Sequence, residues 1–156
     1  MQQRYRSMIG HGAIIIFIAL ICGFGLASTL IGGFEFIPGW IVQFDLFGNP
    51  EAWARAHVGG LLNGLFVIGV ALSAHAMAVA DNTGKHLAWM LIGTGYGNTL
   101  FYWGALFAPN RALTFADNVH GPANLASYIG LLPAFIFAFV AMVAMVMLAR
   151  SAFARP

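Results

Sequence analysis

The sequence predicts an all-α integral membrane protein of four transmembrane helices, a single domain covering residues 1–156. Two observations carry that reading. Of the 156 residues, 60% are hydrophobic and 8% charged, and the mean hydropathy is +0.82, far from the balance of a soluble domain. Charge is also missing from four long stretches: no Asp, Glu, Lys or Arg lies between Arg6 and Glu35, Arg55 and Asp81, Lys85 and Arg111, or Asp117 and Arg150. A hydrocarbon core of about 30 Å takes roughly 20 apolar residues in a helix. The runs 9–31, 54–80, 87–108 and 125–149 reach that length and far exceed a barrel strand, and a helix satisfies its own backbone in lipid.

The first run follows Arg4 and Arg6 and is longer than the apolar region of a signal peptide, so it reads as an uncleaved span, although LAS at 26–28 leaves cleavage open. The loop after it, GGFEFIPGWIVQFDLFGNPEAW, is aromatic and moderately apolar. It is expected to lie on the bundle or in the membrane interface, with Trp40 and Trp53 as interface anchors. A short turn at 81–85 joins the second and third runs, and APNRALTFADNVHGPAN, with Pro109 and Pro122, ends the third helix and starts the fourth. Glycine pairs at four-residue spacing, Gly60 with Gly64 and Gly93 with Gly97, predict closely packed helices.

Four spans put both termini and the 81–85 turn on one side. That side holds Arg4, Arg6, Lys85, Arg150 and Arg155, the other only Arg55 and Arg111. The positive-inside rule therefore turns both termini to the cytoplasm, and a bacterial inner membrane is the expected location. Basic residues scattered in this way exclude nucleic acid as a partner. The one cysteine, Cys22, excludes an intramolecular disulfide and reads as a small buried apolar residue.

Polar groups inside spans are costly and mark the first place to look for function. Entering from the outer side, His57 lies roughly 6 Å and Asn63 roughly 15 Å below Trp53. Counting back from Pro109, Tyr102 lies roughly 10 Å and Asn98 roughly 16 Å deep. The outer half of the bundle thus collects His57, Asn63, Asn98 and Tyr102, the last two sharing one helix face. His57 and Asn63 are roughly 120° apart around their helix; one site using both would lie between subunits, each supplied by a different chain.

Every one of these residues has two readings. His57 is either a hydrogen-bonded packing residue or a ligand to a metal or haem; Asn63 and Asn98 are interhelical glue or part of a site; Tyr102 and Trp103 are belt aromatics or pocket residues. Arg55 either snorkels to the headgroups or meets a propionate or other anion. His11, His86 and His120 lie at span ends or in loops, and His75 is about 27 Å along the helix from His57, too far to share an iron with it. No Cys/His cluster points to zinc, no GxSxG to a serine hydrolase and no CxxCH to covalent haem. One histidine in an apolar pocket fits non-covalent haem with its sixth position open to substrate.

The ordered set GHG at 10–12, GGFEFIPG at 32–39, WARAH at 53–57, LNG at 62–64, FY at 101–102 and PNRALTF at 109–115 resembles the styrene oxide isomerases, in order and at matching intervals over all but the two tails. The resemblance implies a trimeric four-helix membrane enzyme with ferric haem b at its subunit interfaces, converting an aryl epoxide to an aldehyde. It implies His57 as the axial iron ligand, with Asn63 and Tyr102 on the epoxide oxygen. In the family an aspartate can stand at the position of Thr94, a departure that bears on substrate range. The rival reading is a haem-b subunit passing electrons to quinone. Such a carrier usually has two axial histidines, and no second histidine lies at the depth of His57.

Overall fold

In the computed structural model, which describes residues 1–154, four long helices run alongside one another: α1 (Gln3–Ile31), α2 (Pro50–Ala76), α3 (Asp81–Phe107) and α4 (Leu125–Phe153). Arg155, counted above among the basic residues of the terminal side, lies outside the described residues. α1, α2 and α3 begin before their apolar runs and α4 ends beyond its own, whereas α2 stops at Ala76, short of its expected end at 80. The Asn49 side chain accepts the Ala52 N–H at 2.8 Å, Pro50 occupies the first turn, and Asn124 and Ser127 form a reciprocal capping box. Gly32, at φ 67, closes α1.

The segment 81–85, expected to be a turn, is the first turn of α3. The chain instead reverses at 77–80, where Ala78 takes φ 48. Asp81 stabilises the positive end of α3 and pairs with Lys85 at 3.0 Å and with Arg4 of α1. These contacts gather the start of the chain and the α2–α3 turn at one end of the bundle, called the inner end below.

Three helices, α1, α2 and α4, are long and apolar enough to cross a membrane. The third, α3, has the length, 27 residues, but small and polar residues (GTGYGNT, 93–99) occupy its middle. Packing explains that composition. α1 packs along α2, α4 along α3, and α3 also meets α2 and α1. A Cβ on Gly64 would sit 2.7 Å from the Gly12 carbonyl oxygen, and one on Gly93 would sit 2.1 Å from the Phe137 ring, so both glycine pairs serve contacts within the chain. The surface is correspondingly apolar. α4 buries only Ser127, Gly130, Ala134 and Ala144 and leaves Leu132, Phe135, Ile136, Phe139 and Met142 uncovered, as lipid-facing helices do.

The first loop adds a small β element to a chain expected to be all-α. Strands β1 (Gly33–Ile37) and β2 (Trp40–Gln43) pair antiparallel. Pro38 and Gly39 (φ 83) make the turn, and the Glu35 carboxylate accepts the Gly39 N–H at 2.6 Å. Trp40 is 63% exposed on this hairpin, as an interface anchor needs. Trp53 is not such an anchor. It is 3% exposed, sits in a core cluster with Cys22, Ala52, Ala56 and Leu106, and donates its indole N–H to the Phe47 carbonyl at 2.8 Å.

Candidate active site

α2 carries the chemistry, and its helical phase decides who meets whom. On the α1 flank, the Nδ1 of His57 lies 2.8 Å from the Ala19 carbonyl oxygen. A carbonyl only accepts, so Nδ1 carries the proton, and in the neutral ring Nε2 keeps its lone pair. The ring lies flat against α1 because Gly23 leaves room: a Cβ there would stand 2.9 Å from Nδ1 and Cε1.

The α3 flank holds the other expected residues. The Asn63 Nδ2 donates to the Gly59 carbonyl at 2.9 Å, so its Oδ1 must be the acceptor, and the Asn98 Nδ2 donates to it at 2.9 Å. One Asn63 N–H is left over. Tyr102 crosses from α3 onto Gly59, where a Cβ would fall 2.4 Å from the phenol oxygen. Tyr102 therefore reaches α2 only because residue 59 has no side chain.

Between the flanks runs an uncovered apolar stripe: Val58 is 53%, Leu62 63% and Leu65 57% exposed. An open groove of ≈ 460 Å³ along it is lined by Ala54, Arg55, Val58, Gly59, Leu62 and Tyr102. A second space of ≈ 120 Å³ on the other side of Tyr102 is lined by Ala52, Arg55, Phe101, Ala105, Arg111 and Leu113. Tyr102 and Arg55 thus line both spaces, whereas Asn63 and Asn98, bonded to each other, line neither. His57 faces α1 on the opposite flank.

Other polar residues have structural partners. His11 Nδ1 and Tyr96 Oη are 2.9 Å apart, and His86 Nδ1 donates to the Asn82 carbonyl at 2.8 Å. His75 packs beside Tyr5 with ring centres 5.8 Å apart. Thr94 is buried on the α3–α4 seam, its hydroxyl bonded to the Met90 carbonyl at 2.8 Å, and lines neither space. Sequence reasoning missed Gly23 and Arg111, while Gly59, read from the sequence as a place of close approach for a cofactor or a neighbouring helix, admits the Tyr102 ring of α3. The glycine signals were present in WARAHVGG and CGFG, but which ring each one admits depends on the neighbouring helix.

Among the described residues no three His, Cys, Asp or Glu side chains converge as a metal site. The arrangement offers an imidazole with a free nitrogen on the α1 flank, a phenol and an arginine lining an apolar groove, a bonded amide pair held to the Gly59 carbonyl, and a second arginine in the smaller space. Comparison with known proteins agrees with the sequence resemblance. The family model of styrene oxide isomerase matches residues 4–153. The styrene-oxide isomerase of Pseudomonas fluorescens is 44% identical over 147 residues, which is 94% of this chain and 87% of that protein. With nearly its whole length matched, the chain belongs to the styrene oxide isomerase family.

Proposed function

We propose that the protein isomerises an aryl epoxide to the aldehyde, as styrene oxide to phenylacetaldehyde, using ferric haem b held between subunits of a trimer in the bacterial inner membrane. In this reading α3 crosses the bilayer with the other three helices, and both termini are cytoplasmic. The observation that carries the site is the His57 tautomer, with Nδ1–H on the Ala19 carbonyl and Nε2 open.

The residues present fit the cofactor. Haem brings four of its own nitrogens and needs one protein ligand, and an imidazole whose far nitrogen is held by a backbone carbonyl is a proximal-ligand arrangement. The exposed α2 stripe supports the subunit interface. His57 and Tyr102 flank Val58 and Leu62 on opposite sides, so a neighbouring copy laid on the stripe would complete a pocket that one chain leaves open. Bound there, ferric iron would supply a Lewis acid for the epoxide oxygen.

The protein's own groups do the rest. The Tyr102 hydroxyl and the unused Asn63 N–H donate to the oxygen as it gains negative charge, and Asn98 keeps the amide turned for that task. The C–O bond breaks at the benzylic carbon, where the aryl ring spreads the positive charge. A hydrogen then migrates with its electron pair from the neighbouring carbon, and the oxygen closes to the carbonyl with no net redox. Val58 and Leu62 hold the ring in apolar surroundings and keep out the water that would trap the cation as a diol.

The test is to purify the protein in detergent, record its visible spectrum, add styrene oxide and follow phenylacetaldehyde. A Soret band with aldehyde formation is expected. A colourless protein that makes aldehyde at full rate would remove the haem. A low-spin bis-histidine spectrum with no aldehyde would favour the electron carrier.

A further inference from the structure

The backbone is unusual at one place beside the groove. Arg111 and Ala112 are consecutive non-glycine residues with φ 60 and φ 52, a left-handed pair that costs conformational energy and persists only where surroundings enforce it. Asn110 is the enforcer. It is 0% exposed, and its Oδ1 accepts the Ala112 N–H at 3.0 Å and the Ser127 hydroxyl at 2.7 Å. Its Nδ2 donates to the carbonyls of Thr114 at 2.9 Å and Ala116 at 3.1 Å. Ser127 is itself buried at the start of α4, so the turn is anchored to a helix end.

The anchored turn presents Arg111. Together with Arg55 it lines the ≈ 120 Å³ space beside Tyr102, and both also line a polar recess of ≈ 350 Å³ with His120 and Asn49. No carboxylate lines either space. The ion pairs among the described residues are Arg4 with Asp81 and Lys85 with Asp81, which leaves Arg55 and Arg111 without an acidic partner. Glu51, one turn before Arg55 in α2, supplies a partial counter-charge but no ion pair, so the two guanidinium groups, which repel each other, gain from an anion that joins them, and the planar fork of arginine suits a carboxylate.

We propose that Arg111 and Arg55 form a clamp for the carboxylates of the bound haem, with Asn110 as the positioning residue that holds Arg111 on its left-handed backbone. This rests on the haem reading above and adds where the cofactor's charged edge is gripped. It orients that edge toward the outer end, where both arginines lie.

The experiment compares ferric haem b with its dimethyl ester, which has the same ring and iron chemistry but no charge at the edge. The full-length protein in detergent is loaded with each, and the rate of transfer to excess apomyoglobin is read from the Soret band. Wild-type protein should release the ester at least about tenfold faster than haem, the value of one charge-assisted contact. Arg111→Gln and Asn110→Ala should each shrink that ratio toward one, and Arg111→Lys should keep part of it. A general loosening of the fold would speed release of both cofactors and leave the ratio unchanged. An unchanged ratio in Arg111→Gln overturns the clamp while leaving His57 and haem in place. Failure of wild-type protein to hold either cofactor overturns the clamp and the haem reading together. Should Asn110→Ala not fold, Ser127→Ala, which removes one bond to Asn110, carries the same expectation at smaller size.

Discussion

The two ends of the bundle use the same residue types to different ends. At the inner end a histidine, a tyrosine and an arginine are spent on partners: His11 with Tyr96, and Arg4 with Asp81. Tyr5 Oη, which lacks a partner, is sealed beneath Gly84 and fully buried. At the outer end His57 keeps Nε2, Tyr102 lines open space, and Arg55 and Arg111 make no ion pair among the described residues. Residue type and membrane depth do not distinguish the ends. Whether an unsatisfied polar atom can be reached does, because only a group that is both unpartnered and accessible gains by meeting a ligand.

The comparison breaks most readily at His57. His57→Ala removes the proposed iron ligand, so the Soret band should vanish and turnover fall on the order of 10³-fold or more. Stoichiometric haem in that variant would show that another group is the ligand. Tyr102→Phe tests the outer end without touching iron ligation. The spectrum should persist while kcat/KM falls about 10²-fold, because one oxyanion donor is lost; an unchanged rate would remove Tyr102 from the reaction.

Asn98→Ala sharpens the comparison further, since Asn98 acts only through Asn63. Loss of the 2.9 Å bond to Asn63 Oδ1 frees that amide to rotate. A drop in kcat of about tenfold, with KM and haem content held, is expected from a misaligned donor. A change confined to thermal stability would make the pair packing glue alone.

Much of this was legible in the sequence, and the boundary is physical. Lipid cannot hydrogen-bond to backbone, so charge-free runs become helices, and a fixed 100° per residue puts His57 and Asn63 on separate flanks of α2. What escaped depends on contacts distant in sequence. Trp53 looked like an interface aromatic because nothing local announces that Phe47 will supply an acceptor and Leu106 a wall. The hairpin alternates Phe34, Glu35, Phe36 around Pro38 and Gly39, a strand signal masked by its setting between two membrane runs. Arg111 stood in the sequence as a loop charge. Only the Asn110 and Ser127 bonds, closed across 17 positions, bring it to the space beside Tyr102.

The smallest expected effect is the control on which the comparison depends. His11→Phe keeps the ring volume and the edge-on packing against Tyr96, now 5.6 Å between ring centres at 83°, but deletes the bond to Tyr96 Oη. A hydrogen bond between membrane helices contributes about 1 kcal/mol, so the unfolding midpoint should fall by a few degrees. Haem content and turnover should stay within about twofold of wild type, a change too small to signal a lost catalytic contact. Loss of haem or a tenfold fall in kcat at unchanged stability would mean that the inner pair also acts on the reaction. Whether a polar group is unpartnered and accessible would then no longer separate structural residues from functional ones in this protein.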